Sequence, residues 1–446
     1  MSDVRLMRGK DRQVHSVVIA GAGHRGRAYA EQMRLVGGFR IVGVAEPDPA
    51  RRAAFASGYG IPESAVFVDA RQLLERDRLA DVLVVSLMDQ DHRWVTEAAL
   101  ARGYSVLLEK PMATSLEDCE AIVAAEARSG RLVMVCHVLR YHRVNEMVKT
   151  LLEAGEIGQV TNIDHVEALD PVFFASMFVR GQWNNDATST FFLMAKCCHD
   201  LDLIAWFAGQ PCLRVSSFGS LDYFRASNAP VGATDRCVDG CAAEPECPFS
   251  ALKIHLGGIP PSHPMIQYPD AASDFDLNRV YNSSLEGDGS DAAVRAALAK
   301  GPFGRCVFRC DNNAVDRQVV AMEFANGIVA TFTVSAFNAR VNQRLTRIHG
   351  TDGVITCDYK GNWIEVRNFR SNLFRRIPLE PVEGGHGGAD HRIIESLHEH
   401  LESGPSGNRT SAQISLDSHR IVFAAEEARR SGRVIQIGPN RENLRL

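Results

Sequence analysis

Residues 16–36 read SVVIAGAGHRGRAYAEQMRLV, and this stretch decides the fold of the first part of the chain. The apolar run Val17–Ala20 precedes three glycines, and an amphipathic segment follows them. This order predicts a buried strand that turns tightly into a helix. Gly21 permits the turn, Gly23 lets the backbone approach a pyrophosphate, and Gly26 allows the helix and the strand to pack closely. The stretch therefore predicts a dinucleotide-binding turn, in which the exposed N–H groups of the helix hold a diphosphate.

An acidic residue follows the second apolar strand, Phe39–Ala45, at the spacing used by dinucleotide-binding domains. Glu46 lies about 20 residues beyond the glycines, so its carboxylate can accept both hydroxyls of an adenosine ribose. The same carboxylate would repel a 2′-phosphate, which favours NAD over NADP, although Arg25 or Arg51 could accommodate the phosphate. Glu46 could instead simply cap the helix that follows it.

Apolar strands continue to alternate with helical segments as far as residue 136. Val- and Leu-rich runs such as Ala80–Leu87 are typical of strands that are buried on both faces. Their alternation with helices predicts a doubly wound parallel sheet over residues 14–140, with ligands beyond the carboxyl ends of the strands. Three polar clusters fall at those ends: Met88–His92, Glu109–Pro111 and His137–Arg143. Helix capping explains Asp91 but not Lys110, which stands between an apolar strand and a proline.

The composition excludes several classes of function. The 446 residues suffice for two or three domains, and a formal net charge of −5 argues against binding to nucleic acid or to an anionic membrane. No apolar run reaches the ~20 residues that span a bilayer. Residues 1–13 lack the apolar core of a secretory signal and predict a disordered lead-in. Eleven cysteines, several of them in apolar or helical patterns, favour free thiols and a cytoplasmic protein.

The glycine turn, Glu46, His92 and the sequence Glu109-Lys110-Pro111 together resemble the Gfo/Idh/MocA family of oxidoreductases, which act on inositol, sugars and other cyclitols. The resemblance covers the whole chain, and residues 411–431 resemble the closing helix of the family. It implies a Rossmann domain followed, over residues 141–446, by an α+β domain with a large open, mostly antiparallel sheet. The cofactor contacts that it implies are Gly21, Gly23, His24, Arg25, Gly26, Glu46, Asp89, His92, Glu109, Lys110 and Pro111.

The second domain carries its own candidate catalytic residue. The apolar segment Thr190–Gly209 is predicted to be helical, and His199 on it resembles the catalytic histidine of the family. Lys110 and His199 would share the proton of the reacting hydroxyl. Many members carry an aspartate one turn before this histidine, but Ala195 occupies that position here. His199 could also be a core histidine of an apolar helix.

Several polar residues are candidates for contact with a substrate. Lys196 and Asp202 lie three residues on either side of His199, so the helix brings them near it. Lys196 could bind an anionic group of a substrate, lower the pKa of His199, or be an ordinary solvated lysine. The further candidates are Arg140 and Tyr141 after the sixth strand, and Arg180 and Trp183 before the helix. Each of these could instead be structural, with Trp183 as a core anchor.

A long region rich in Pro, Gly, Asp and Ser, at about residues 225–310, exceeds an ordinary connection and predicts an insertion or lid. We call it the cysteine-bearing insert. Four thiolates from its five cysteines could bind a structural zinc ion or an iron–sulfur cluster, and reduced structural cysteines are the alternative. The metal set predicted from the sequence is Cys237, Cys241, Cys247 and Cys310, with Cys306 as the remaining cysteine.

The predicted function is hydride transfer between NAD and a hydroxyl carbon of a sugar, sugar derivative or cyclitol. Some relatives are instead glycosidases that oxidise C3, eliminate the aglycone, add water and reduce again with the same NAD. A non-catalytic NAD(P) sensor is a third alternative, but it would not need Lys110 and His199. The resemblance also implies a homodimer or homotetramer.

Overall fold

The structure is a computed structural model of the chain, and it describes residues 13–257, 290–338, 343–382 and 384–438. The lead-in predicted over residues 1–13 lies outside these ranges, apart from Gln13. Residues 258–289 of the cysteine-bearing insert also lie outside them. None of the helices in the described ranges is long and apolar enough to cross a membrane.

The first sheet contains six strands, which alternate with helices along the chain. The strands are β1 (His15–Ala20), β2 (Phe39–Ala45), β3 (Val66–Phe67), β4 (Val82–Val85), β5 (Ser105–Leu108) and β6 (Val133–Val135). The helices are α1 (His24–Val36), α2 (Pro49–Tyr59), α3 (Ala70–Leu74), α4 (His92–Ala101), α5 (Leu116–Ser129) and α6 (Arg143–Glu153).

All pairings in the first sheet are parallel, and the strand order is β3-β2-β1-β4-β5-β6. This is the doubly wound order of dinucleotide-binding domains, so the predicted fold class of the first domain is confirmed. The order reverses between β1 and β4, which opens a crevice at the carboxyl ends of these two strands. Every residue of β4 and β5 is buried, as their continuous apolar runs predict.

The remaining elements follow in chain order. The strands are β7 (Val160–Ala168), β8 (Cys212–Ser220), β9 (Arg317–Phe324), β10 (Val329–Ser335), β11 (Gln343–Gly350), β12 (Gly353–Asp358), β13 (Trp363–Asn368), β14 (Leu373–Pro378) and β15 (Ile435–Gln436). The helices are α7 (Pro171–Phe174), α8 (Phe192–Ala208), α9 (Asp291–Lys300), α10 (Ala389–Ser403) and α11 (Ala412–Ser431).

The second sheet has nine strands in the order β14-β13-β12-β11-β7-β10-β9-β8-β15. Only the pair β7 and β10 is parallel among its described pairings, so the predicted open, mostly antiparallel sheet is confirmed. The turn between β9 and β10 has Asn326 at φ 62° and Gly327 at φ 82°. Two successive positive φ angles are typical of the tight hairpin turn that Asn-Gly favours.

The described chain divides into two compact units. One comprises the residues up to 146 together with 381–419, and the other comprises 147–380 with the residues from 420 onwards. The sequence predicts the first boundary at residue 140 but does not predict the return of residues 381–419 to the first unit. The predicted closing helix at 411–431 corresponds to α11, whose first residues belong to the first unit.

Candidate functional site

The glycine turn of the first unit has the geometry of a phosphate cradle. Gly21 has φ +93°, and a Cβ there would lie 2.3 Å from the carbonyl oxygen of Ser86. A Cβ on Gly26 would lie 1.9 Å from the carbonyl oxygen of Gly21, so neither position accepts a side chain. Gly23 differs, because no atom lies within 4 Å of its Cβ position and no side chain caps α1 there. The N-terminus of α1 is thus open and uncapped, and this space fits a diphosphate.

Glu46 connects the end of β2 to the glycine turn. Its side chain is buried, with one carboxylate oxygen accepting a hydrogen bond of 2.8 Å from the backbone N–H of Ala22. The other oxygen accepts bonds from the N–H of Asp48 (3.0 Å) and from Nη2 of Arg51 (3.1 Å). The carboxylate lies at the carboxyl edge of the sheet, where the ribose of a dinucleotide binds in this fold. Arg51 partly neutralises it and reduces its repulsion of a 2′-phosphate.

Arg25 forms a network of charged groups on the first turns of α1. Its Nε donates to Glu109 (2.6 Å), while Nη1 and Nη2 donate to the two carboxylate oxygens of Asp390 (2.9 and 3.0 Å). Nη2 also donates to the hydroxyl of Tyr29 (2.6 Å), which in turn donates to Glu109 (2.8 Å). The guanidinium therefore holds two carboxylates, whereas His24 is exposed at the first position of the helix. Contacts of Arg25 and His24 with a cofactor stay predictions.

The carboxylates of this network are held in their charged form. Burial alone would raise the pKa of Asp390, but Arg25 and His386 outweigh it and hold that pKa well below its ordinary value. Burial acts in the same direction on Glu109, and Arg25 and Lys110 lower its pKa overall. The network thus stays ionised at neutral pH beneath the end of β5.

The turn that carries Lys110 is fixed at three backbone positions. The N–H of Glu109 donates to the carbonyl of Val85 (2.8 Å), and Nδ1 of His92 lies 2.8 Å from the carbonyl oxygen of Pro111. The N–H of Met112 donates to Nε2 of the buried His419 (2.9 Å). Lys110 itself is partly exposed, so a rigid turn presents its amine at the carboxyl end of β5.

Other predicted contacts of the first unit are buried against protein. Asp89 is 5% exposed, in the short turn before α4. Nη1 of Arg140 donates to the carbonyl of Arg409 (3.0 Å), and the ring of Tyr141 lies 4.2 Å from the guanidinium of Arg409. The hydroxyl of Tyr141 is 3.3 Å from that of Thr410. Arg140 and Tyr141 join the turn after β6 to residues 409 and 410, and their contact with a substrate stays a prediction.

In the second unit, α8 carries His199 among almost entirely buried neighbours. His199 is 6% exposed and Asp202 is 1% exposed. Lys196 lies one turn before His199, and its ammonium group forms an ion pair of 3.2 Å with Glu167 on β7. Burial lowers the pKa of Lys196, and the nearby Arg344 lowers it further against the opposing effect of Glu167. Lys196 is therefore a paired cation in the structure rather than a solvated one.

A second set of buried charges lies beside it and includes Asp200. The carboxylate of Asp200 accepts hydrogen bonds from Nε of Arg344 (2.7 Å) and lies 3.0 Å from Nε2 of His165. Arg344 also pairs with Glu167 at 3.2 Å. Burial would raise the pKa of Asp200, but Arg344 and His165 hold it below its ordinary value. Asp200 is thus paired with Arg344 and His165.

The sequence does not predict this set of charges, because its members come from three elements. Glu167 and His165 lie on β7, and Arg344 lies on β11, which pairs with β7 in antiparallel register. The alternation of polar residues along β7 could have signalled that one face carries them, since 165 and 167 point to the same face. The pairing with residue 344 required the fold.

Arg180 contacts the cysteine-bearing insert. It is 1% exposed, and it donates to the backbone carbonyls of Arg305 (2.7 Å) and Phe249 (2.6 Å) in this insert. These contacts place Arg180 beside the cysteines, and its contact with a substrate stays a prediction. Trp183 is partly buried, and its ring centroid lies 6.4 Å from that of Phe178.

Three of the four cysteines predicted to form a metal site in the insert lie together in the structure. All eleven cysteines of the chain are free thiols. A cavity in the second unit is lined by Cys237, Cys241, Cys247, Cys306 and Arg180. Cys310 is absent from that lining, and its Sγ instead lies 3.3 Å from the carbonyl oxygen of Cys306. The fourth cysteine of the group is therefore Cys306, not the predicted Cys310.

The fold and the open glycine turn define a dinucleotide-binding α/β protein. Residues 15–137 match the model of the oxidoreductase family with an NAD-binding Rossmann fold, Gfo/Idh/MocA. The first domain is therefore similar to that family, as the resemblance predicts.

Relatives extend the similarity beyond the first domain. The chain is 26% identical over 380 residues to YteT of Bacillus subtilis (strain 168), described as an oxidoreductase, and the match covers 80% of this chain and 82% of that protein. It is 30% identical over 208 residues to an inositol 2-dehydrogenase of Streptomyces avermitilis, covering 46% of this chain and 56% of the relative. The aldose–aldose oxidoreductase of Caulobacter crescentus has a similar fold (TM-score 0.65, 18% identity), with 95% of this chain and all of that chain covered.

Proposed function

We propose that the protein transfers a hydride between NAD and a hydroxyl carbon of a sugar, sugar derivative or cyclitol. The observation that carries the proposal is the open, uncapped N-terminus of α1 at Gly23, with Glu46 held against the same turn. The match to an NAD-binding oxidoreductase family and to an inositol 2-dehydrogenase supports both the cofactor and the class of substrate. Neutral polyols also suit a site that offers proton-transfer groups.

The N–H groups at the start of α1 would bind the diphosphate, and Glu46 would accept the ribose hydroxyls. NAD, when bound, supplies the acceptor or donor of the hydride. The buried carboxylate of Glu46 supports NAD over NADP. Its partial neutralisation by Arg51 explains why we state a preference for NAD and not an exclusive requirement.

Lys110 is proposed to hold and move the proton of the substrate hydroxyl. Its turn is fixed by Glu109, His92 and His419, so the amine is presented from a rigid element and little ordering is needed during reaction. The resemblance assigns a share of this proton transfer to His199. Lys196 and Asp202 are proposed to contact the substrate from the same helix.

Turnover of a panel of sugars and cyclitols tests the proposal. NADH absorbance should rise in proportion to the substrate that is oxidised. Lys110→Ala should reduce turnover by at least 100-fold, in line with the usual contribution of a general acid–base group, and should leave NAD affinity nearly unchanged. Lys149→Ala is a matched control, because this lysine of α6 is also partly exposed and pairs with Glu153 at 3.5 Å.

Three results would contradict the proposal. Near-normal turnover by Lys110→Ala would remove the assigned proton carrier. Release of an aglycone from a glycoside without accumulation of NADH would favour the glycosidase alternative, whose net reaction is redox-neutral. Tight NAD binding with neither activity would favour the sensor.

We also propose that the protein is a cytoplasmic homodimer or homotetramer. The eleven free thiols support a reducing compartment. One face of the second sheet exposes apolar side chains, including Phe218 (74%) opposite Val319 (43%), and Val329 (51%) further along the neighbouring strand. Such a patch is typical of an interface between subunits. Light scattering of the purified protein measures the assembly, and a monomeric mass would contradict this part of the proposal.

A further inference from the structure

The cysteine-bearing insert brings four thiols to one cavity, and the proposed hydride transfer uses none of them. Cys237, Cys241, Cys247 and Cys306 line the cavity. The first three are half-buried and Cys306 is buried. Because 59 positions separate Cys247 from Cys306 along the sequence, the fold and not local spacing completes the group.

Backbone pairing explains why Cys306 belongs to the group. The N–H of Cys237 donates to the carbonyl of Gly304 (2.9 Å), and the N–H of Cys306 donates to the carbonyl of Asp235 (2.8 Å). These two bonds flank an antiparallel bridge and set Cys237 beside Cys306. Cys310 follows four residues later, and its Sγ lies 3.3 Å from the carbonyl oxygen of Cys306.

A backbone N–H group is directed at the sulfur atom of Cys237. The N–H of Ala251 lies 3.5 Å from this Sγ. A thiolate sulfur that binds a metal can accept a hydrogen bond of this kind.

Arg180 supplies a buried positive charge at the same cavity. Its Nη2 lies 3.6 Å from Sγ of Cys237, and the side chain is held by the carbonyls of Arg305 and Phe249. Nη1 is buried and has no hydrogen-bond partner among the residues that the structure describes. A buried guanidinium needs a compensating negative charge, because burial of an unpaired charge is costly. An anionic group in the cavity would supply it.

We propose that Cys237, Cys241, Cys247 and Cys306 bind a [4Fe–4S] cluster. Four thiolates are the ligand set of such a cluster, and Cys247 is followed by Pro248, as is the last cysteine of bacterial ferredoxin motifs. The anionic thiolate-bound cluster pairs with Arg180. The site lies in the insert and takes no part in the proposed hydride transfer.

The spacing of the sulfur atoms argues against a single zinc ion. Tetrahedral zinc with Zn–S bonds near 2.3 Å holds its sulfurs roughly 3.8 Å apart. Within the described ranges, no three of these cysteines have sulfur atoms that all lie within 4.8 Å of one another. A cubane cluster holds each thiolate on a different iron atom, so its ligands are spread more widely.

Metal analysis of the anaerobically purified full chain tests the proposal. We expect about four iron and about four acid-labile sulfide per chain, with a visible absorption that dithionite bleaches. Cys306→Ser should lose most of the iron, whereas the matched control Cys310→Ser should keep it. Circular dichroism of both variants shows whether the loss of iron accompanies loss of the fold.

Metal analysis of the wild-type protein tests the proposal even where a variant fails to fold. One zinc per chain without iron, or no metal after anaerobic reconstitution with iron and sulfide, would overturn the proposal. Loss of iron from Cys310→Ser with retention by Cys306→Ser would overturn the ligand set. None of these results bears on NADH production, so this inference and the proposed function fail independently.

Discussion

Replacing Asp390 with asparagine should destabilise the first unit strongly. The carboxylate is buried and forms two hydrogen bonds with the guanidinium of Arg25. Asparagine preserves the shape but removes the charge, so Arg25 keeps only Glu109 as an anionic partner. Breaking a buried ion pair from one side usually costs about 3–5 kcal/mol.

Arg25 keeps its ion pair with Glu109, and its side chain is 23% exposed. We therefore expect a loss of stability near the lower end of this range, about 3 kcal/mol. For a unit of this size each kcal/mol lowers Tm by roughly 2–4 °C, so we expect a decrease of roughly 6–12 °C in thermal unfolding at pH 7. The transition that is followed should be that of the first unit.

The loss of stability in Asp390→Asn should depend on pH. Because Arg25 and His386 hold the pKa of Asp390 below its unfolded value, its contribution is fully present above about pH 5. It is lost as the pH falls from there towards the folded pKa. The difference in Tm between wild type and Asp390→Asn should therefore narrow as the pH is lowered from 5 to 3.

Glu31→Gln provides the matched control, because it removes an exposed carboxylate that also pairs with an arginine of α1, Arg34. This exposed pair should leave Tm unchanged within error. A decrease of less than 2 °C for Asp390→Asn, or an equal decrease for Glu31→Gln, would refute the reasoning. Either result would mean that the network around Arg25 contributes no more than an exposed ion pair.

Two further predictions concern the dinucleotide turn and the turn of Lys110. Gly26→Ala should weaken NAD binding by at least tenfold in calorimetry, because its Cβ would lie 1.9 Å from the carbonyl oxygen of Gly21. Gly58→Ala is the control, because no atom lies within 4 Å of the Cβ position of this residue near the end of α2. This variant should bind NAD normally and be more stable than the wild type by about 0.5–1 kcal/mol. Equal NAD affinity of the two variants would contradict the close packing. His419→Phe removes the acceptor for the N–H of Met112. The variant should lower kcat more than it weakens NAD binding, and stopped-flow and steady-state rates would measure both effects. An unchanged kcat would show that this hydrogen bond does not position Lys110.

The first unit could be predicted closely from the sequence, because its determinants are local. The glycine turn, Glu46 and the sequence around Lys110 each lie at the end of a continuous apolar strand, and a parallel sheet brings such ends to one edge. The sequence does not predict the residues that hold these groups in place through hydrogen bonds. Asp390 and His419 lie 365 and 307 positions beyond Arg25 and Met112, the residues that they contact, and no local periodicity predicts this return.

The second sheet is less predictable from the sequence. The residues of β14 are largely exposed, include two arginines and end at Pro378, so neither alternation nor an apolar run predicts this strand. Arg180 illustrates a different limit. Its position shortly before α8 suggests a substrate contact, but the insert folds back and its carbonyls and Cys237 bind the guanidinium.

The buried charges around α8 bear on the kind of substrate the protein takes. Lys196 and Arg344 are matched by Glu167 and Asp200, so the four groups sum to zero charge. If Lys196 were to bind an anionic substrate, Glu167 would lose one of its partners, and a buried carboxylate with reduced compensation is costly. A neutral polyol can contact the same groups through hydrogen bonds while the ion pairs persist. The pairing of Lys196 with Glu167 therefore supports the proposed neutral sugar or cyclitol over a carboxylated or phosphorylated substrate.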